Sequence, residues 1–198
     1  MIAMQVPYIS QWDDTAKLSR GDCGIVAACM VAQWRGIQTT PDQMLREAKL
    51  PVGRLVYDFP DVIRAAKAVG LTLKYHYPAT WTTIRAELKA GRPVIPLLRY
   101  GMIAHNQDDF GGAHFWTCVG YDDDNVYVND PDWWGELRAK GAMRKIPLPQ
   151  FRRRLDRRCS RPATSRISQF SSSRTTRRNC ASTSQRFRRG VCFPSKMS

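Results

Sequence analysis

Gly21-Asp22-Cys23-Gly24, with the small and apolar residues Ile25 to Ala32 behind it, is the stretch that decides the fold. It predicts a buried helix that begins at Cys23. A helix N-terminus offers free N–H groups and partial positive charge, and both stabilise a thiolate, the nucleophilic form of cysteine. Asp22 is suited to the N-cap position, and Gly24 leaves the backbone beside the sulfur uncrowded. The alternative is a buried cysteine that packs as a small hydrophobe.

A histidine and an aspartate follow at the ends of two predicted strands. Residues 111–121 predict a strand that opens on His114, and residues 126–131 predict a second strand that ends at Asp130. The short acidic turn between them indicates a hairpin, which would bring His114 and Asp130 together near its open end. Each residue alone has a structural explanation, as a half-buried strand residue or a turn residue before proline. With Cys23 they form the nucleophile, base and orienting group of a thiol hydrolase.

Gln11 is a fourth candidate. It lies in the short extended segment Val6 to Trp12, twelve positions before Cys23. A side-chain amide and the backbone N–H of the nucleophile can together hold the oxyanion of acyl transfer. The alternative for Gln11 is an exposed polar loop residue.

Four tryptophans lie next to these candidates in the chain: Trp12, Trp116, Trp133 and Trp134. Aromatic side chains along a groove would suit an extended peptide substrate. Core packing is the alternative, because tryptophan is highly buried on average. We expect Trp133 and Trp134 to be the more exposed, since they follow a proline in a turn region.

The segments VPYISQW (6–12), GDCGIVAACMVAQWRG (21–36), GGAHFWTCVGYD (111–122) and VYVNDP (126–131) resemble the papain-like cysteine peptidases of the bacteriocin-processing type. This is family thirty-nine of the cysteine peptidases, and its stand-alone branch is the more similar. The resemblance runs from about Gln5 to about Gln150. Ile25 replaces the proline that many stand-alone members carry after Cys-Gly, and Gln11 is farther from the cysteine than in transporter-linked members.

The resemblance implies a role for each candidate. Cys23 would be the nucleophile, His114 the general base and acid, Asp130 the residue that orients His114, and Gln11 the oxyanion donor. It also implies an α+β, papain-like fold, in which an N-terminal helical subdomain bearing Cys23 packs on an antiparallel sheet bearing His114 and Asp130. The pattern of predicted elements agrees, because a cluster of helices is followed mainly by strands.

The net charge of +14 belongs almost entirely to the C-terminal part of the chain. Residues 1–150 carry 17 Lys and Arg against 16 Asp and Glu, whereas residues 151–198 carry 14 against 1. We therefore predict a peptidase domain over residues 1–151 and a basic Arg/Ser-rich tail over residues 152–198. The tail has few aliphatic residues, which predicts disorder. It is either an electrostatic tether or the product of a reading-frame error, and we favour the second.

The sequence also argues against several classes of site. Six cysteines in 198 residues do not predict a disulfide framework, and neither C-x-x-C nor H-E-x-x-H occurs, so we expect no metal and no cofactor. No stretch is long enough for a membrane span, and the first ten residues lack the apolar core of a signal peptide. We expect a monomer located in the cytoplasm, with extracellular release as an alternative.

The favoured function is hydrolysis of a peptide bond in a leader peptide, a peptidoglycan stem peptide or another protein. One rival is an inactive member of the same fold that binds peptides without cutting them. The other is a polyanion-binding protein acting through the basic tail, with no nucleic-acid binding by the body.

Overall fold

The computed structural model describes residues 1–13, 21–54, 56–99, 113–156 and 190–195. The helices within these ranges are α1 (Cys23–Trp34), α2 (Pro41–Glu47), α3 (Phe59–Ala68), α4 (Trp81–Lys89) and α5 (Leu148–Asp156), with a 3-10 helix at Gly135–Gly141. The strands are β1 (Ile2–Ala3), β2 (Leu73–His76), β3 (Ile95–Arg99), β4 (Ala113–Phe115), β5 (Thr117–Tyr121), β6 (Asn125–Asn129), β7 (Arg144–Pro147) and β8 (Val191–Pro194).

Helix α1 is the centre of the helical part of the fold. Its small and apolar residues from Cys23 to Ala32 are all buried, so the helix is covered on every side rather than on one face. Asp22 takes the N-cap position as expected, but its carboxylate makes no side-chain capping hydrogen bond. The Asp22 carbonyl oxygen instead accepts the first helical bond, from Val26 N at 3.0 Å.

Three other helices, α2, α3 and α4, each begin at a polar side chain that caps the helix. Thr40, Asp58 and Thr80 accept hydrogen bonds from the backbone N–H three residues later. Such caps satisfy N–H groups that have no partner inside the helix. Helices α2 and α3 pack against α1 and enclose an apolar core with Leu97 and Phe115 of the strands.

The strands form two antiparallel four-stranded sheets, in the orders β1-β5-β6-β7 and β2-β8-β3-β4. An isolated bridge between Val94 and Cys118 links them. Helix α1 contacts β3, β4 and β5, and so lies against both sheets. The predicted α+β class with an antiparallel sheet is confirmed.

The predicted single strand through His114 is divided at Trp116. Phe115 pairs with Leu97 of β3, whereas Cys118 pairs with Val128 of β6. His114 therefore belongs to the second sheet, while Asp130 directly follows a strand of the first. Residues 100–112, which include Gly111 and Gly112 of the predicted strand, lie outside the described residues.

The two ends of the predicted tail differ from the expectation of disorder. Helix α5 continues past residue 152 to Asp156, because Phe151 and Leu155 are buried against the sheets. Strand β8 lies between β2 and β3, where Val191 and Cys192 are fully buried. The rest of the tail, residues 157–189 and 196–198, lies outside the described residues. Within the described part of the chain, no helix has the length and apolar character needed to cross a membrane.

Candidate active site

Cys23 is the first residue of α1, and the sequence after it allows the sheet to come close. Gly24 faces Val62 and Phe115, and a Cβ at this position would lie 2.7 Å from Val62 Cγ2 and 2.9 Å from Phe115 Cδ2. The absence of a side chain at residue 24 therefore lets β4 pack directly against the start of the helix. Because His114 precedes Phe115 on that strand, the same packing brings the imidazole to the sulfur.

His114 contacts both of the other predicted triad members. Its Nε2 lies 3.0 Å from Asp130 Oδ1. Its side chain also forms a hydrogen bond with Cys23. Because Nε2 is already bonded to Asp130, we assign the bond with Cys23 to Nδ1. The Trp116 ring meets the imidazole edge to face, with 6.5 Å between the ring centroids, and so packs against it from the side. The structure thus places Cys23, His114 and Asp130 in one row.

The row favours a protonated imidazole. Burial lowers the pKa of His114, but the negative charge of Cys23 and the hydrogen bonds to Asp130 and Cys23 outweigh burial and raise that pKa to about 10. In general, an imidazolium beside a cysteine favours the thiolate, the reactive form of a cysteine nucleophile.

Asp130 is completely buried, and within the described part of the chain its carboxylate accepts hydrogen bonds from four donors. Oδ1 accepts from His114 and from Asp132 N at 3.1 Å. Oδ2 accepts from Trp133 Nε1 at 3.2 Å and from Arg144 at 2.6 Å. Burial alone would raise the pKa of Asp130, but its hydrogen bond to His114 and the charges of His114 and Arg144 lower that pKa to about 2. The carboxylate is therefore ionised wherever the protein is folded near neutral pH.

Arg144 is a site residue that the sequence analysis missed. It begins β7 and pairs with Val128, two residues before Asp130. Its guanidinium lies over the Trp133 ring, 4.7 Å from the centroid. The available signal was a possible strand near residues 143–146, because its pairing with the Asp130 strand would have placed Arg144 beside the end that carries Asp130.

The chain just before Arg144 holds the backbone of the same segment. Gly141 O accepts from Asp130 N at 2.8 Å, and Met143 N donates to Asn129 Oδ1 at 2.9 Å. A Cβ at Gly141 would overlap both the Tyr8 hydroxyl and the Asp130 carbonyl oxygen. Asp130 is thus positioned through its main chain as well as its carboxylate.

Gln11 is joined to the residues that follow Asp130. Its backbone N–H donates to Pro131 O at 2.9 Å, and its Nε2 donates to Asp132 Oδ1 at 3.3 Å. The side chain is buried, and Oε1 has no hydrogen-bond partner among the described residues. The alternative, an exposed loop residue, is therefore excluded, whereas the oxyanion role remains a prediction.

The four tryptophans divide into two groups. Trp116 and Trp133 are buried, which contradicts the expectation that Trp133 is exposed. The reason is that its indole N–H is bound to the Asp130 carboxylate. Trp12 and Trp134 are 37% and 53% exposed, and their ring centroids lie 5.5 Å apart. Trp12 Nε1 donates to Asp132 Oδ1 at 2.8 Å, which places this exposed pair next to Gln11. Across the described ranges, no group of three or more His, Cys, Asp or Glu residues could hold a metal ion.

Comparison with solved structures identifies the fold. The chain is similar to a putative C39-like peptidase from Bacillus anthracis, with 14% identity, a TM-score of 0.61 and coverage of 100% of this chain and 98% of that one. A double glycine motif protease from an AMS/PCAT transporter, solved in complex with the leader peptide, has 24% identity and a TM-score of 0.53 over 76% of this chain and 86% of that one. The peptidase domain of Streptococcus ComA, a bi-functional ABC transporter involved in a quorum sensing pathway, has 15% identity and a TM-score of 0.54 over 76% and 92%.

A search of the curated proteins returns no match. The family model described as the Peptidase_C39 like family matches residues 3–154, which include Gln11, Cys23, His114 and Asp130. The match extends over most of the chain and its solved neighbours have the same papain-like fold, and on this evidence the protein belongs to the Peptidase_C39 like family of cysteine peptidases.

Proposed function

We propose that this protein is an active cysteine peptidase in which Cys23, His114 and Asp130 form the catalytic triad. The observation that carries the proposal is the row of contacts from Cys23 through His114 to the buried Asp130 carboxylate, with 3.0 Å between His114 Nε2 and Asp130 Oδ1. A structural histidine would need neither a thiol on one side nor an ionised, buried carboxylate on the other.

The proposed reaction has two steps. The Cys23 thiolate attacks the carbonyl carbon of the scissile bond, and the His114 imidazolium gives its proton to the leaving amine as the C–N bond breaks. His114, now neutral, removes a proton from water, which attacks the thioester. Cys23 leaves as the thiolate, and the imidazolium is restored. Asp130 holds the imidazole ring and stabilises its positive charge throughout.

Gln11 and the Cys23 backbone N–H are the proposed oxyanion donors. The Gln11 amide nitrogen carries two hydrogens, and the bond to Asp132 uses one of them. The second remains for the oxygen of the tetrahedral intermediate. Because Asp132 and Pro131 both hold Gln11, the donor is oriented before substrate arrives, as electrostatic stabilisation of an oxyanion requires.

The proposed substrate is a peptide that contacts the exposed pair Trp12 and Trp134. These rings offer apolar surface beside the proposed oxyanion donor, whereas Trp116 and Trp133 are too buried to do so. One structural neighbour was solved in complex with a leader peptide, so leader-type peptides are the first class to test. Peptidoglycan stem peptides and other proteins are the further classes.

Steady-state hydrolysis of a fluorogenic peptide library tests the triad. Cys23→Ala and His114→Ala should each abolish turnover, and Asp130→Asn should lower it by a smaller factor, with folding verified by circular dichroism. A Cys23→Ala protein with parental turnover would refute the mechanism. A parent protein that binds peptides but cleaves none would instead identify an inactive, peptide-binding member of the fold.

The tryptophan pair has a separate test. Trp134→Ala should raise KM more than it lowers kcat, because the exposed ring would contact substrate away from the scissile bond. Tyr77→Ala is the matched control, since Tyr77 is equally exposed, at 54%, but follows β2. Equal effects of the two changes would exclude a specific role for Trp134.

A further inference from the structure

We propose that Arg144 is a positioning residue for the Asp130–His114 pair: it fixes the orientation of the Asp130 carboxylate toward the imidazole, and its charge neutralises the buried row. The inference rests on the proposed roles of Cys23, His114 and Asp130. It adds a fourth charged member to the site.

The Asp130 carboxylate is held in one orientation by its neighbours. The two donors on Oδ2, Arg144 at 2.6 Å and Trp133 at 3.2 Å, leave Oδ1 for His114. Rotation of the carboxylate would break both Oδ2 bonds. The Arg144 side chain is itself held, because it is only 14% exposed and lies over the Trp133 ring. The direction of Asp130 Oδ1, and with it the plane of the imidazole, is therefore set from the side opposite Cys23.

Arg144 also balances the charge of the row. In the thiolate–imidazolium state the signs alternate along the row: Cys23 negative, His114 positive, Asp130 negative and Arg144 positive. Without Arg144 the row would carry a net negative charge where Asp130 is fully buried and His114 nearly so. A buried net charge is costly, and a neighbouring guanidinium is the ordinary means of compensation.

Other charged groups near the row do not replace Arg144. Tyr8 donates its hydroxyl to the Asp130 carbonyl oxygen at 3.1 Å, and Arg138 is paired with Asp13 at 2.6 Å. Asp132 offers its backbone N–H to Asp130, while its carboxylate accepts from Gln11 and Trp12. Asp22, next to Cys23, is fully buried and has an acidic side chain, so it supplies no positive charge. Among the described residues, Arg144 is the cation that contacts Asp130 besides His114.

The test measures the alkylation rate of Cys23 by iodoacetamide as a function of pH, with the modified peptide quantified by mass spectrometry. Plotted against pH, the alkylation rate should change at two places, called steps below. The first step is the pH at which the thiolate–imidazolium pair forms, and the second is the pH at which His114 loses its proton. Arg144→Gln removes the charge but keeps an amide donor. It should move both steps to higher pH, by about half to one pH unit, because loss of a positive charge favours the protonated form of each neighbour. Arg144→Lys keeps the charge and should leave both steps at their parental positions.

Arg92→Gln is the matched control, because it breaks an arginine–carboxylate pair of the same 2.6 Å length, with Glu87 on α4. It should leave both steps unchanged. If Arg144→Gln folds, by circular dichroism, and its steps do not move, the proposal is overturned. Equal movement in the Gln and Lys variants would overturn it as well, since charge would then not be the cause.

If Arg144→Gln does not fold, Arg144→Lys provides the second measurement. It keeps the positive charge, so both steps should stay at their parental pH, whereas movement of either step would overturn the proposal. Alkylation needs no substrate. A protein that cleaves no peptide can therefore still confirm the role of Arg144, and failure of the peptidase function is distinguishable from failure of this inference.

Discussion

Gly24 and Phe115 lie so close together that a Cβ on residue 24 would come within 2.9 Å of the Phe115 ring. This contact joins the element that carries the proposed nucleophile to the strand that carries His114. The distance between sulfur and imidazole therefore depends on a residue that takes no part in the chemistry.

Gly24→Ala should separate α1 from β4. We expect a loss of about 1–3 kcal/mol of stability, typical of overpacking in a dense core, together with slower alkylation of Cys23. Urea unfolding and iodoacetamide kinetics measure the two effects. Parental values for both would show that the helix start can move without cost.

Cys23 should be the fastest of the four cysteines in the described residues to react with iodoacetamide. Burial raises the pKa of Cys29 and of Cys192 to about 12, and it raises that of Cys118 as well, so these three thiols are protonated near neutral pH. His114→Gln should slow Cys23 and leave the other three unchanged, as measured by mass spectrometry of each peptide. Equal rates for all four thiols would contradict an activated Cys23.

Gln11→Ala should lower kcat by roughly 10²–10³ with little change in KM, as for other oxyanion donors. Asp132→Asn keeps an oxygen acceptor for Gln11 Nε2, so a smaller decrease in kcat is expected. The measurement is steady-state hydrolysis of whichever library peptide the parent cleaves. Unchanged turnover of Gln11→Ala would remove Gln11 from the mechanism and leave the triad in place.

The free energy of unfolding should be nearly constant at intermediate pH and should fall in acid because of Asp130 and in base because of His114. The folded-state pKa of Asp130 is lowered to about 2, so its contribution is present above its unfolded value near 3.8 and is lost as the pH falls toward 2. The pKa of His114 is raised to about 10, so its contribution is complete below its unfolded value near 6.5 and is lost as the pH rises through 10. Urea unfolding from pH 2 to 10 should show both declines, and Asp130→Asn should weaken both. If Asp130→Asn lost as much stability at low pH as the parent does, carboxylates other than Asp130 would be responsible for that loss.

A chain that ends at Arg189 should be less stable than the full chain, because it lacks β8 while retaining the basic residues before it. Loss of the strand would leave β2 and β3 without the partner that joins them and would expose core side chains packed against Val191 and Cys192. Thermal unfolding compares the two chains. An unchanged Tm would show that the second sheet does not depend on β8.

Local sequence patterns predicted the elements that rest on local physics. The apolar run predicts the helix at Cys23, and the helix starts at Thr40, Asp58 and Thr80 are equally local, because each cap side chain accepts a bond from the backbone N–H three residues later. The β5–β6 hairpin accounts for much of the closeness of His114 and Asp130, because both residues lie just beyond the Thr117–Asn129 pair at its open end, although His114 itself pairs with β3.

What the sequence did not reveal depends on contacts between distant segments. Arg144 reaches Asp130 through the pairing of β6 with β7, and Trp133 is buried because the carboxylate binds its N–H. The composition of the tail predicts disorder, yet Val191–Pro194 is a strand because two other strands satisfy its backbone. Propensity and composition do not contain the positions of such partners.

The place of β8 has a consequence for the order of folding. Leu73 pairs with Pro194, so the second sheet is completed by residues that are synthesised about 120 positions after its first strand. Contacts of such separation form late, because a long loop must close before they can be made. We expect backbone amides of β2 to gain protection from hydrogen exchange after those of the β5–β6 hairpin during refolding. The sheet that carries His114 would then be completed last, and the reactivity of the Cys23 thiol would appear only once β8 has paired with β2 and β3.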